Sequence, residues 1–140
     1  MRVEQLTKEH IDCIRSPKID REVALCLVGA PMQYAAVHEN DVVCIFGAME
    51  QWRGRWQIWS VMGENSGRWM FQLTKMGLEF VKSLEGHRID ATVEADFKAG
   101  HRWMRMLGFA PEAVLVQYLP DGTDVVQYVQ LREVEEWVQQ

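Results

Sequence analysis

The residues able to do chemistry are few and scattered. Two carboxylates stand near the ends of predicted strands: Glu50, in the apolar run Val42 to Gln51, and Glu94, in the alternating run Ile89 to Ala95. Strand ends in open α/β sheets border the ligand crevice, so both are candidate bases. For each, a solvated or salt-bridged carboxylate is the commoner role of such a residue. Asp90, Thr92 and Glu94 also form a polar stripe opposite Ile89, Ala91, Val93 and Ala95. Burial of that stripe would raise a carboxylate pKa, whereas contact with water would leave it without a role. Cys13, Cys26 and Cys44 are odd in number and lack zinc-ligand spacing, which implies no metal and no disulfide framework. Cys44, inside an apolar strand, reads as core rather than nucleophile. His101, among Lys98, Arg102 and Arg105, reads as a polar helix residue.

The elements that position these groups follow from periodicity. Arg2 to Gln5 is a short strand, Thr7 caps a helix running to about Ile14, and Asp20 caps a second helix ended by Gly29 and Pro31. Gln33 to His38, Val42 to Gln51 and Trp56 to Met62 predict a three-stranded antiparallel meander with turns at 39–41 and 53–54. After Gly63–Gly67, apolar residues at Met70, Leu73, Met76, Gly77, Phe80, Val81 and Leu84 define an amphipathic helix closed by Gly86. Ile89 to Ala95 is a fifth strand. Asp96 precedes a fourth helix ending at Leu107-Gly108-Phe109, and Pro120-Asp121-Gly122-Thr123 turns a hairpin of Ala113 to Leu119 and Val125 to Leu131. Glu133 to Gln140 is expected to be a short terminal helix.

The order β-α-α-β-β-β-α-β-α-β-β resembles the acyl-CoA N-acyltransferase (GNAT) superfamily over the whole chain. The segment Phe97-Lys98-Ala99-Gly100-His101-Arg102-Trp103-Met104-Arg105-Met106-Leu107-Gly108-Phe109 is similar to that superfamily's "N-x-x-A-x-x-L-Y-x-x-x-G-F". The resemblance implies an α+β, α/β/α layered fold: one domain, residues 1–140, with a mixed, mostly antiparallel sheet of about seven strands and about four helices. It also implies acetyl-CoA as cofactor and transfer of an acyl group to a small-molecule or protein amine.

The same resemblance locates the cofactor site. The superfamily's "Q/R-x-x-G-x-G/A" loop, whose backbone N–H groups hold the coenzyme A pyrophosphate, matches Glu64, Asn65, Ser66, Gly67, Arg68 and Trp69. Backbone groups of Val61 and Met62 fall where oxyanion and pantetheine contacts are made. Gly67 fits the first glycine. Glu64 places a carboxylate where a polar or basic residue stands, and Trp69 an indole where a small one does. The helix segment departs too: Phe97 replaces the frequent Asn, Gly100 the Ala, and Met104 the Tyr that serves as general acid. Tyr118 is the candidate replacement acid, with Tyr34 and Tyr128 no better placed. A GNAT order with an eroded phosphate loop is also similar to phage-encoded GNAT-like proteins of the internal virion protein A type. That likeness implies a second class, a noncatalytic virion or accessory scaffold that binds protein.

Composition bounds the partners. The chain has 140 residues, 48% of them hydrophobic, enough for one ordinary core. Its apolar runs fall well short of the ~20 residues a bilayer requires, and it opens Met1-Arg2-Val3-Glu4 without a leader pattern, so the expected location is cytoplasmic, or the virion if phage-encoded. A formal net charge of −5 argues against nucleic acid unless Arg53 and Arg55, or Lys98, His101, Arg102 and Arg105, form a local basic patch. Self-association stays open. Of six tryptophans, Trp56 and Trp59 have opposite parity on one strand, which predicts an exposed indole suited to protein contact.

Overall fold

Short polar caps start the helices where the sequence places them. In the computed structural model, which describes residues 1–134, Thr7 caps α1 (Lys8–Cys13) through a capping box in which His10 takes the usual place of Glu or Gln. Its Nδ1 accepts the Thr7 N–H at 3.0 Å. The Asp20 carboxylate accepts from the Val23 N–H at 3.2 Å and starts α2 (Arg21–Cys26). Seven strands, β1 (Arg2–Gln5), β2 (Gln33–His38), β3 (Asp41–Trp52), β4 (Arg55–Met62), β5 (Arg88–Glu94), β6 (Ala110–Leu115) and β7 (Val125–Leu131), form a sheet in the order β1-β2-β3-β4-β5-β7-β6. β1 with β2, β2 with β3, β5 with β7 and β6 with β7 pair antiparallel, whereas β4 and β5 pair parallel. The remaining helices are α3 (Met70–Ser83), entered through a 3-10 turn (Ser66–Trp69), and α4 (Lys98–Met106).

The described residues group into two compact units. The first comprises Met1–Met49 and Ile58–Phe71; the second takes Glu50–Gln57 and the chain from Gln72 onward. In the first, Leu6, Ile11, Ile14, Ala24, Ala35 and Ile45 close the core. A polar bridge is built into it. Gln33, 2% exposed, donates through Nε2 to the carbonyls of Ala48 at 2.8 Å and Pro31 at 2.9 Å, and its Oε1 accepts from Trp59 Nε1 at 2.6 Å. Both amide groups of a buried glutamine are thereby satisfied. Gly47 makes the bridge possible, because a Cβ there would stand 2.0 Å from Gln33 Oε1. Neither Trp56 nor Trp59 is exposed as parity suggested; both are half-buried with their N–H groups bonded, Trp56 to the Glu85 carbonyl. Trp52, 60% exposed, is the open indole, and the Arg55 guanidinium lies over its ring at 4.6 Å.

The second unit carries the parallel pairing, Arg55 with Arg88, Trp56 with Ile89 and Gln57 with Asp90. Asp90 is 1% exposed and accepts from Arg55 Nε at 2.8 Å and Arg88 Nε at 3.0 Å. Arg88 also reaches Glu112 on β6, and Gln127 on β7 donates to the same carboxylate. Of the polar stripe, then, Asp90 is buried between two cations, Thr92 is exposed and Glu94 is half-buried. Within this unit, Gly77 of α3 meets Trp103 of α4 and Leu107 at its C-cap, and the Trp103 N–H donates to Thr74. Arg132 closes the end of α3 on the carbonyls of Val81 and Leu84.

One strand lies earlier than predicted. β6 is Ala110–Leu115 rather than Ala113 to Leu119. Asp124 captures the Gln117 N–H at 2.8 Å, the N–H groups of Tyr118 and Leu119 both turn to the Thr123 carbonyl, and Gln117 takes a φ of 53°. These local bonds end the ladder before Val116. Of the expected terminal helix, Glu133 and Val134 lie in no regular element, and residues 135–140 fall outside the described residues.

Gly47→Ala should displace Gln33 and strand the Trp59 N–H; chemical denaturation should show a loss of about 2–4 kcal/mol. A second expectation concerns acid. Arg88 holds the exposed Glu112 carboxylate below its ordinary range. The stability this pair adds is therefore present above the ordinary carboxylate value and is lost as pH falls through the lower folded-state value. Glu112→Gln should flatten the acid limb of the melting-temperature profile and leave it parallel to that of the native chain at neutral pH.

Candidate functional site

The loop between β4 and the 3-10 turn is fixed by close backbone approach. Gly63 is buried, donates its N–H to the Val43 carbonyl at 2.8 Å, and has no room for a side chain: a Cβ would stand 2.9 Å from the Val42 carbonyl oxygen and 3.0 Å from that of Val43. The next amide, Glu64, donates to the Arg15 carbonyl at 2.8 Å, and the Ser66 amide turns back to Gly63 at 3.1 Å. The N–H groups of Asn65 and Gly67 have no acceptor among the described residues. They lie on either side of Ser66, which is 8% exposed and whose hydroxyl has no hydrogen-bond partner there and is not sealed from solvent. Nothing stands within 4 Å of a Cβ built on Gly67.

Charge at the loop is balanced. Glu64 and Arg68 are both exposed, and the Arg68 guanidinium lies 5.2 Å from the centroid of the Trp69 ring. Trp69 is half-buried and packs on His38 with ring centroids 4.5 Å apart. Val61 and Met62, both half-buried, lead β4 into this loop. All eight predicted cofactor-binding residues, Val61, Met62 and Glu64–Trp69, thus lie on one stretch of the first unit. Its free polar groups can hold an anion: two backbone N–H groups, one hydroxyl and one guanidinium.

The candidate acid–base residues lie apart from one another in the second unit. Glu50 is exposed two residues before the end of β3, at the turn leading to Arg55. Arg55 pairs with Arg88, the first residue of β5, whereas Glu94 is its last. At ~3.3 Å per residue the length of β5 is roughly 20 Å, so the two carboxylates serve different ends of the sheet. Glu94 is half-buried opposite Val125. Tyr118 is 55% exposed on the loop after β6.

A pairing not foreseen from sequence involves His101 and Tyr128. The His101 Nε2 lies 2.9 Å from the Ala95 carbonyl, which can only accept, so Nε2 carries the proton. In the neutral ring Nδ1 then accepts from the Tyr128 hydroxyl at 2.8 Å. Tyr128 is 2% exposed and His101 half-buried. The bridge ties α4, whose N-cap Phe97 gives no side-chain capping hydrogen bond, to Ala95 just after β5 and to β7. The 27 residues between the partners leave no local signal. Burial pushes the Cys44 thiol up to about 12, the behaviour of a core residue. No cluster of three or more His, Cys, Asp or Glu able to hold a metal occurs among the described residues. No helix among them is long and apolar enough to cross a membrane.

The fold is shared with known acetyltransferases. Ard1 from Thermoplasma volcanium is similar over 94% of this chain and 97% of its own, with a TM-score of 0.78 at 14% identity. An acetyltransferase of the GNAT family from Bacillus anthracis covers 92% of this chain and 93% of its own, with a TM-score of 0.64 at 17% identity. The yncA protein of Salmonella typhimurium, solved with its cofactor acetyl-CoA, covers 96% and 95%, with a TM-score of 0.73 at 13% identity. No protein-family model and no curated protein matches the chain. At these identities the likeness establishes the fold alone: among the described residues, seven strands, mostly antiparallel, with four helices, in the GNAT arrangement.

The two loop glycines should respond oppositely to one methyl group. Gly63→Ala forces Val42 and Val43 apart and should lower the stability measured by denaturation by about 1–3 kcal/mol. Gly67→Ala points into open space and should leave stability within about 0.5 kcal/mol of the native chain.

Proposed function

We propose that this GNAT-fold chain is an N-acyltransferase that takes an acyl group from a pantetheine thioester, acetyl-CoA being the reference donor, and passes it to an amine. The observation that carries the reading is the pair of unengaged amides at Asn65 and Gly67, on either side of Ser66 at the start of the 3-10 turn that leads into α3. A structural neighbour solved with acetyl-CoA supports the choice of donor. In this reading the loop binds the anionic end of the donor, and the Val61 and Met62 backbone orients the thioester. Glu94, half-buried at the carboxyl end of β5, takes the ammonium proton of the acceptor; Glu50, exposed by the turn, does not. The acceptor is an amine, small or on a protein. Tyr118 is not needed as acid if the departing thiolate is protonated by solvent.

A second reading has its own observation. Val114, Val116 and Tyr118 are 60%, 72% and 55% exposed, on β6 and the loop that follows it. Apolar residues displayed by a loop closed through its own hydrogen bonds suit a noncatalytic protein-binding scaffold, as in a virion or accessory protein.

The test is mass-spectrometric detection of acyl transfer from isotopically labelled acetyl-CoA to a panel of polyamines, amino acids and lysine peptides. Glu94→Gln should reduce kcat about 10²–10⁴-fold with KM for the donor unchanged, while Glu50→Gln should leave turnover within twofold. Transfer to no amine, together with loss of a binding partner on Val116→Asp, would favour the scaffold.

A further inference from the structure

We infer that His101 and Tyr128 are positioning residues for Glu94: together they lock the turn that follows it and so fix where the proposed base stands. The inference rests on the transferase reading, in which Glu94 takes the acceptor's proton. Its basis is the backbone just beyond Glu94, where successive groups are engaged. The Glu94 carbonyl accepts from the Phe97 N–H at 3.0 Å, the Ala95 N–H donates to the Asp124 carbonyl at 2.9 Å, and the Ala95 carbonyl accepts from His101 Nε2 at 2.9 Å. Glu94 itself pairs with Val125 on β7.

Of these bonds only the last depends on a side chain, and that side chain is itself controlled. A neutral imidazole carries its proton on either nitrogen, and a proton on Nδ1 would set the Nε2 lone pair against the Ala95 carbonyl oxygen. The Tyr128 hydroxyl, 2.8 Å from Nδ1, occupies that nitrogen as a donor and leaves the proton on Nε2. Tyr128 is 2% exposed and paired on both sides, with Ala91 of β5 and Pro111 of β6. Its hydroxyl is therefore a fixed reference point inside the sheet.

Local packing brings His101 within reach. Gly100 lets α4 come close to β5, because a Cβ there would stand 2.8 Å from Val93 Cγ1 and 2.7 Å from the Phe97 ring. Phe97, the N-cap, gives no side-chain capping bond, so the turn before α4 is held from within the helix by the His101 ring. A Ser, Thr or Asp at position 97 would cap the helix locally. The His101 bridge does what a local cap does not: it ties the residue next to Glu94 to β7, the strand that also pairs with Glu94.

The test is a double-mutant cycle on acetyl transfer from labelled acetyl-CoA to the amine that the native chain acetylates fastest, with thermal melts to verify folding. Tyr128→Phe should lower kcat about fivefold or more and His101→Ala about tenfold or more, each with KM for acetyl-CoA within about twofold of native. His101→Gln, whose amide can still donate to the Ala95 carbonyl, should recover about threefold or more of the His101→Ala loss. In the Glu94→Gln background, Tyr128→Phe and His101→Ala should each lower kcat by less than about twofold further, because the base they position is already gone. Trp103→Phe removes the bond from the same helix to Thr74 and should leave kcat within about twofold of native. If Tyr128→Phe does not fold, the three His101 measurements carry the same test. Native kcat in the folded variants, a full loss that persists in the Glu94→Gln background, or an equal loss in Trp103→Phe overturns the inference and leaves the transferase reading standing. A native chain that acetylates no amine overturns the transferase reading and the inference with it.

Discussion

Two carbonyl oxygens, those of Val42 and Val43, stand where a side chain at position 63 would go. The loop that follows depends on that crowding. With Gly63 seated against β3 and its N–H given to Val43, the chain leaves β4 along one course. The Glu64 amide is brought onto Arg15 and the Ser66 amide back onto Gly63. Backbone donors are finite, one per residue, so each commitment to the protein removes one from a ligand. The same contacts that fix the loop therefore decide which of its donors stay unengaged. They also bury Ser66 while leaving its neighbours' amides without an acceptor among the described residues.

The second unit solves a different problem. Parallel pairing of β4 with β5 places Arg55 beside Arg88, two like charges on neighbouring strands. Asp90 resolves that repulsion by accepting from both, and Glu112 shares the load on Arg88. A buried carboxylate is costly unless paired and hydrogen-bonded, and here both conditions are met by side chains from adjacent strands. One result is that the polar stripe of β5 is divided by use. Asp90 is structural, Thr92 faces water, and Glu94 is half-buried at the strand's end. Another is that Arg55, held from beneath, supports the exposed Trp52 ring.

Much of the secondary structure was legible because its causes are local. Thr7 and Asp20 cap helices through atoms three residues away, Arg2–Gln5, Gln33–His38 and Val125–Leu131 end at turn residues, and Gly108, at φ 90°, closes α4 as a helix-ending glycine should. The error at β6 has a local cause as well, but an uncommon one: Asp124 and Thr123 capture N–H groups of residues 117–119, whose composition reads as strand. The tryptophan argument failed for a different reason. Strand parity places Trp56 and Trp59 on opposite faces, but it does not reveal that each indole finds an acceptor distant in sequence, the Glu85 carbonyl for one and the Gln33 side-chain oxygen for the other.

The sequence by itself determined the order of elements, and with it the GNAT fold, together with the position of the loop at residues 64–69 and its departures at Glu64 and Trp69. These are properties of periodicity, capping and chain order, each encoded within a few neighbouring residues. Only the tertiary structure decided which donors of that loop are free, since the acceptors of its amides, Val43 and Arg15, are distant in sequence. For the same reason only it could separate Glu50 from Glu94, convert Asp90 from a candidate into an ion-pair anchor, and join His101 to Tyr128 across 27 residues. Hydrogen bonds and ion pairs between remote segments are selected by where the strands meet, and no local pattern records that choice.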